Sequence, residues 1–454
     1  MPEVLLHDPS IGRFSQSASL AAAESAISAA PALPARRPLR SDVALLPEAP
    51  ASESLATGRG QRLRLAIVSP EVGAGAGVPH YWLALSRALS RHHDVHVFTA
   101  KTDRALLEGV KVHRVPALPF GWFLGHMSFY VAAQARFLLA SLIRPRPFDV
   151  VLGVGALTPF ADVTTVHFVQ AREIELQRQG LIPRPRPLVG LAGLDYALYG
   201  RAMAWLGKRF YRRSNASIVA ISKSVKHDVA LYEGANPASI SVVPNGVDVD
   251  RFCPENRERY RDHTRESLGL SDTNVAVLFV GNSWGRKGLR TAIQAISGSD
   301  QKDVRLVVVG DGDPAGFLDG LPAELTERII FVGPKSNDVE RYYAASDIFI
   351  LPTLYEPFGL VILEALASGL PSIFSACAGA SEWLEDGVDA IFLRDPADGE
   401  EAQAALRSII GSPEIARSLS KNGREAAERL QWISVGQQLI EASAARKRLL
   451  AVRV

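Results

Sequence analysis

Cysteine is nearly missing from the 454-residue sequence: Cys253 and Cys377 cannot build a disulfide framework and fit a reducing compartment. Charge of one sign is missing as well. Fifty Lys and Arg against 48 Asp and Glu leave a formal net charge of +2. A dedicated nucleic-acid binder needs a strong basic excess, so no nucleic-acid partner is expected. The first residues lack a basic segment followed by an apolar stretch and a cleavage site, which argues for a cytoplasmic protein. No run is cleanly apolar over a membrane's thickness. Residues 120–143 come closest, but His126, Gln134 and Arg136 interrupt them. This stretch reads as a core helix preceding a strand. The alternative is an interfacial segment with Trp122, Phe123, Phe129 and Tyr130 at headgroup depth.

What is present begins with a biased extension. Residues 1–60 hold 13 Ala, 9 Ser and 7 Pro and show no long apolar period, so disorder is expected there, with short helical pieces such as residues 20–30. From residue 61 short apolar runs alternate with longer segments of helical period. Strands are expected at 63–69, 95–100, 111–115, 150–154, 163–167 and 218–221, and again at 275–280, 306–309, 329–332, 348–351 and 372–374. Runs apolar at nearly every position belong to parallel sheets covered on both faces. Repetition of strand and helix predicts an α/β fold with two Rossmann-like doubly wound domains facing a central cleft. The turn-rich Val243-Pro244-Asn245-Gly246-Val247-Asp248 divides them. The expected division is therefore 61–242, 243–430, and a terminal helical segment 431–454 crossing back to the first domain.

Three segments carry chemistry. After the first strand, Gly73-Ala74-Gly75-Ala76-Gly77 leads into a helix opening with Pro79. It suits close backbone approach to an anion, or simply a tight strand-to-helix connection, because the third glycine of a dinucleotide fingerprint is missing before His80. In the second half, Gly285-Arg286-Lys287-Gly288 places two cations at the mouth of a helix, which suits a diphosphate or a solvated basic turn. The segment from Tyr355 to Ala365 sets Glu356 before a helix and Glu364 about a turn inside it. Backbone N–H groups around Phe358, Gly359 and Leu360 can hold phosphate oxygens. Carboxylates repel phosphate but accept hydrogen bonds from sugar hydroxyls. Asp311-Gly312-Asp313 closely follows a strand and reads as a turn, and no metal is expected.

Glu356 and Glu364 eight positions apart, with Phe358-Gly359, Lys287-Gly288 and Pro244-Asn245-Gly246-Val247-Asp248, resemble glycosyltransferase family 4. The likeness spans about residues 61–440 and is stronger in the second half. The 285–288 turn is similar to that of lipopolysaccharide-core glucosyltransferases. The resemblance implies a GT-B fold and a retaining enzyme, with a nucleotide-sugar donor as substrate and no cofactor. It implies that Glu364 binds ribose and Glu356 the transferred sugar. Arg286 and Lys287 would hold the diphosphate, with Phe358, Gly359 and Leu360 assisting. Gly77 would let the first-domain loop approach, and His167 would lie near the sugar. Gly379 and Glu382 match the family's following loop and helix. Two departures stand out: Asn282 replaces a frequent arginine, whose charge Arg286 is expected to supply, and Ala76-Gly77 replaces a glycine pair.

The expected reaction moves a hexose from a UDP- or GDP-sugar to a glycan or lipid-linked acceptor, as in cell-surface polysaccharide or glycolipid synthesis. A sugar-nucleotide epimerase of the same fold, or a non-catalytic nucleotide-sugar binding protein, are the alternatives. Base recognition is expected from backbone near Val332-Gly333. Residues 184–213 carry Arg184, Arg186, Arg201, Lys208, Arg209, Arg212 and Arg213 against Asp195, with Trp205, Phe210 and Tyr211 interleaved. This stretch suits an anionic membrane surface, a lipid-linked acceptor, or merely a solvated helical face.

Overall fold

The computed structural model describes residues 62–451, apart from 76, 120, 144–145, 184–189, 214–215, 299–301 and 336–337. The expected extension over 1–60 and its helical piece lie outside the described residues, as do Arg184 and Arg186.

Among the described residues, two fully parallel sheets of seven and six strands carry the fold. The first contains β1 (Arg64–Val68), β2 (Asp94–Thr99), β3 (Lys111–Arg114), β4 (Val150–Val154), β5 (Val163–Val166), β6 (Ser217–Ala220) and β7 (Ile240–Val242). Its spatial order is β3-β2-β1-β4-β5-β6-β7. The second contains β8 (Val275–Val280), β9 (Val304–Val309), β10 (Ile329–Gly333), β11 (Ile348–Leu351), β12 (Ser372–Ser375) and β13 (Ile391–Leu393), in the order β10-β9-β8-β11-β12-β13. Both orders reverse direction beside their first strand, and ligands of such sheets sit beyond the carboxyl ends at that reversal. Every strand expected from the sequence is present to within one or two residues. The edge strands β7 and β13 were not expected.

The helices that position the site are α1 (Val78–Ser90), α2 (Trp122–Ile143), α3 (Gln170–Arg178), α4 (Gly190–Arg213), α5 (Lys223–Glu233), α6 (Asn256–Ser267), α7 (Leu289–Ala295), α8 (Glu340–Ala345), α9 (Leu360–Ala367), α10 (Gly399–Gly411), α11 (Pro413–Arg429) and α12 (Trp432–Ala451). In α1 the apolar positions Tyr81, Trp82, Leu85 and Leu89 recur at helical spacing and are buried against the first sheet. Pro79, expected at the first helical position, occupies the second. The polar stretch after residue 254 is helix α6. Arg257, Arg261 and Arg265 recur every fourth residue and all converge on Asp347, which also accepts the Ala276 N–H. That helix is held by charge rather than by an apolar stripe, which is why periodicity does not reveal it.

Helix α2 departs from the core-helix reading. Phe129, Tyr130, Ala133 and Phe137 are buried, but Val131, Leu138, Leu139, Leu142 and Ile143 face outward, Ile143 at 87% exposure. The interfacial alternative is altered as well, because Phe129 and Tyr130 point inward and the large apolar groups exposed among the described side chains of α2, which do not include Trp122, are aliphatic.

The chain leaves the first sheet at Val242 and returns at Leu430. The Val247 N–H donates to the Leu430 carbonyl at 2.8 Å, so the outgoing and returning passes run side by side. Beyond the return, Trp432, Val435 and Leu439 of α12 join the first domain's core with Leu85 and Leu89. Ser217 Oγ donates to the Ala442 carbonyl and Lys447 Nζ to the Asp149 carbonyl.

Candidate active site

The carboxyl ends of β8, β11 and β12 deliver three loops to one place. The loop after β8 folds back through Lys287 N–H to Ser283 O and Gly288 N–H to Gly285 O. Gly288 lies at φ +80, and a Cβ there would fall 1.7 Å from the Pro352 carbonyl oxygen, so only glycine lets this loop lie on the one after β11. The contact fixes both cations. Arg286 Nη1 donates to the Tyr355 carbonyl and lies 3.8 Å from Glu356 Oε2. Lys287 Nζ donates to the same Oε2 at 2.5 Å. Burial works against ionisation of Glu356, but Lys287 and Arg286 outweigh it and hold its carboxyl below the usual range. The Phe358 amide assists in this, so it faces Glu356 rather than standing ready for a phosphate.

Gly359, at φ +100, precedes α9, and no side chain caps that helix. Its first residue, Leu360, packs against the first domain's core. Glu364 is one turn further in and buried, and Tyr343 from α8 donates to its Oε2 at 2.8 Å. Burial pushes its carboxyl above the ordinary value, with Tyr343, Arg251 and Lys287 opposing. Arg251 itself pairs with Glu340 at 2.8 Å.

The facing wall belongs to the first domain. Gly77, at φ +75, precedes α1, which also has no side-chain cap, and no atom lies within 4 Å of where its Cβ would be. Two uncapped helix N-termini therefore border one gap, and both favour negative charge there. His80, in the first turn of α1, brings Nε2 to 4.0 Å from Glu364 Oε1. His167 follows β5, hydrogen-bonds Thr165 Oγ1 through Nε2 at 3.0 Å, and meets the Tyr81 ring edge-on at 4.3 Å. Burial alone lowers its imidazole to about 3, so the ring is neutral.

After β12, Gly379 N–H donates to Glu356 O, and a Cβ on Gly379 would fall 2.0 Å from Pro357 O. Glu382 reaches across to the first domain and accepts the Lys223 and Ser224 N–H groups at the start of α5, at 2.5 and 2.9 Å. Asn282 does not take an arginine's place. Its Oδ1 accepts the Asp311 N–H at 2.8 Å and ties two loops together. Asp313 accepts the Ala315 N–H at 3.1 Å, a turn contact. The Gly333 carbonyl, at the end of β10, accepts the Gly310 N–H at 3.0 Å. Neither Cys253 nor Cys377 forms a disulfide, and Cys377 Sγ donates to the Thr353 carbonyl at 3.2 Å.

The structure thus brings Arg286, Lys287, Glu356, Phe358, Gly359, Leu360 and Glu364 together on one side. Gly77 and His167 belong to the opposite wall, where His167 touches Tyr81, the neighbour of His80. His80, Tyr343 and Arg251 escaped the sequence reading. His80 had one available sign: it lies in the first turn of the helix after the glycine-rich loop, where the fingerprint's last glycine is missing.

Residues 75–251 match the family described as Glycosyltransferase Family 4, and residues 274–412 match Glycosyl transferases group 1. The chain is 26% identical over 423 residues to a D-inositol 3-phosphate glycosyltransferase of Xylanimonas cellulosilytica, covering 83% of this chain and 93% of the relative. It is 24% identical over 348 residues to the lipopolysaccharide glucosyltransferase WaaG of Escherichia coli K12, covering 76% and 88%. Among solved structures, that of WaaG superposes with a TM-score of 0.64 at 21% identity, covering 83% of this chain and 98% of WaaG. Anabaena Alr3699/HepE in complex with UDP and glucose superposes with a TM-score of 0.62 at 19% identity, covering 84% and 100%. At these identities the structural likeness shows the fold, two Rossmann-like parallel-sheet domains of GT-B type.

Proposed function

Because this chain is a glycosyltransferase of the GT-B family, we propose that it moves a hexose from a nucleoside-diphosphate sugar to a glycan or lipid-linked acceptor hydroxyl, with retention. The observation that carries this reading is the shared contact of Arg286 and Lys287 with Glu356, beside the N-terminus of α9, which no side chain caps. The cations and helix ends suit a diphosphate, while Glu356 and Glu364 suit hydroxyls. Glu356, already ionised, accepts from the hexose, and Glu364 accepts from the ribose.

Diphosphate is a good leaving group, so the step needs positive charge where negative charge develops rather than a strong acid. Arg286 and Lys287 supply it. The transition state has oxocarbenium character, as in glycoside hydrolysis. The bond from the anomeric carbon to the diphosphate oxygen breaks, and a bond to the acceptor oxygen forms on the same face. The departing phosphate takes the acceptor's proton. His167, held neutral, hydrogen-bonds the sugar without adding charge. Uridine diphosphate sugars are the first donors to test, since the Anabaena protein was solved with UDP-glucose as well as with UDP and glucose. Donor consumption is to be measured over UDP-, GDP- and ADP-sugars with and without glycan and lipid acceptors. Acceptor-dependent consumption supports transfer. Consumption without acceptor, with an altered sugar, supports an epimerase instead.

We also read the outer face of α4 and the C-terminal half of α2 as the side that meets an anionic membrane bearing the acceptor. Trp205 is 63% exposed and lines a shallow cavity with Lys208, Arg209 and Arg212. Leu138, Leu139, Leu142 and Ile143 stand exposed on α2, which packs against α4. An exposed indole among cations, beside aliphatic side chains, matches anionic headgroups over acyl chains. Among the described residues no helix is long and apolar enough to cross a membrane, so this would be contact at the surface.

A further inference from the structure

We propose that His80 is a donor-binding residue contributed by the first domain: its ring and the Glu364 carboxylate bracket a single ribose hydroxyl between them. This rests on the donor reading above, in which Glu364 faces the ribose, and adds a residue from the opposite wall.

The two oxygens of Glu364 are in different situations. Oε2 is held by the Tyr343 hydroxyl at 2.8 Å. Oε1 faces His80 Nε2 at 4.0 Å. That separation is too long for a direct hydrogen bond. It fits one oxygen lying about 2.8 Å from each atom. The group in such a gap must accept a hydrogen bond from the imidazole N–H and donate one to the carboxylate. A hydroxyl does both. A phosphate oxygen only accepts, and the carboxylate repels it. The gap is therefore selective for a hydroxyl, whereas the diphosphate is provided for at Arg286 and Lys287.

The charge state of the ring agrees with this. Burial, together with Arg251 and Arg87, lowers His80 to about 4, with Asp248 opposing. The ring is neutral at physiological pH and offers one N–H. Its side chain is 19% exposed and that of Glu364 is 11% exposed, so little bulk water competes for either group. His80 belongs to α1 of the first domain and Glu364 to α9 of the second. One hydroxyl bonded to both makes approach of the two walls depend on the ribose.

The test compares UDP, or GDP if UDP does not bind, with its 2′-deoxy and 3′-deoxy analogues by calorimetry. Wild type, His80→Ala and His80→Gln are the proteins. Wild type should bind the ribonucleotide about tenfold tighter than one of the deoxy analogues. His80→Ala should lose about tenfold on the ribonucleotide yet bind that deoxy analogue within about twofold of wild type. Unchanged binding of the deoxy analogue also shows that the variant is folded. His80→Gln, which keeps an N–H donor, should recover part of the discrimination. If His80→Ala weakens both ligands equally, or neither, the inference is overturned while the donor reading stands. If wild type binds none of these nucleotides, the donor reading falls and takes this inference with it.

Discussion

Lys287 Nζ and Glu356 Oε2 form a 2.5 Å ion pair in which each side chain is only 11% exposed. The pair joins the loop after β8 to the loop after β11, so it is structural and positions charge at once. Removing one partner of a buried pair strands the other charge, typically at about 3–5 kcal/mol. Lys287→Ala is therefore expected to lower the melting temperature and to slow turnover by at least about 10²-fold. Glu356→Ala is expected to slow turnover to the same degree. The double variant Lys287→Met/Glu356→Gln removes both charges and should regain most of the melting temperature without regaining rate. Turnover near wild type in Lys287→Ala and Glu356→Ala would remove the assignment of this site, whatever the melting curves show.

The buried histidines contribute a pH-dependent share of the stability. His167 and His80 have folded values near 3 and 4 against 6.5 in the unfolded chain. Between about pH 4 and 6.5 the unfolded state thus binds protons that the folded state refuses, and stability rises with pH. Their contribution is complete above pH 6.5 and is lost as pH falls through that window. Each ring adds a slope of up to about 1.4 kcal/mol per pH unit. Glu233, raised to about 7 by burial, and Glu364, also raised by burial, act in the opposite sense over the same window, so the histidine share is read as a difference: in denaturant titrations at pH 7, 6 and 5, His167→Gln should show a slope lower than wild type by one ring's share. An identical slope in that variant would mean that His167 is not buried uncharged.

The strands were legible because each is short and almost uniformly apolar, as Val275–Val280 is, and lies between covered faces. The short edge strands Ile240–Val242 and Ile391–Leu393 carry little periodic information, and helix α6 is built on arginines whose shared partners, Asp347 and the Ala345 and Ser346 carbonyls, lie far along the chain. The grouping of Arg286, Lys287 and Glu356 was legible because these residues sit in two short motifs around two loops. His80 was not, because its meaning lies in Glu364, which is 284 positions away and on another domain. Asn282 was legible as a departure, but its bond to the Asp311 amide depends on how two loops meet. The exposed aliphatic side of α2 was hidden for a different reason. The helix is apolar around most of its circumference, so composition does not tell which side is covered.

Glu382 spans the two domains by capping α5, while Ser222 Oγ donates to the Pro357 carbonyl at 2.8 Å beside it. Loss of a carboxylate that accepts two helix N–H bonds costs about 0.5–2 kcal/mol. Glu382→Ala should weaken the contact between the walls by that amount. Small-angle scattering of the donor-free variant should give a larger radius of gyration than wild type, with the difference reduced by saturating nucleotide. Equal radii in both proteins would assign closure to the other contacts, such as Leu360 against the first domain.

The surface of α4 gives the last prediction. Trp205, Lys208, Arg209 and Arg212 share one side of the helix, and each cation near an anionic surface contributes about 1 kcal/mol. Three of them give roughly 3 kcal/mol, on the order of 10²-fold in partitioning. The protein should co-sediment with vesicles containing phosphatidylglycerol and much less with phosphatidylcholine alone, and salt should release it because exposed charges are screened. Lys208→Glu/Arg209→Glu/Arg212→Glu should abolish the anionic preference. Leu138→Ser/Leu142→Ser should weaken binding to both vesicle types, because it removes apolar contact rather than charge. Among the described residues these positions lie on the α4 and α2 surface and not at Arg286, Lys287, Glu356 or Glu364, so nucleotide binding measured without vesicles should be unchanged in both variants. Equal sedimentation of wild type and the charge-reversed variant would leave the basic side of α4 as a solvated helical face.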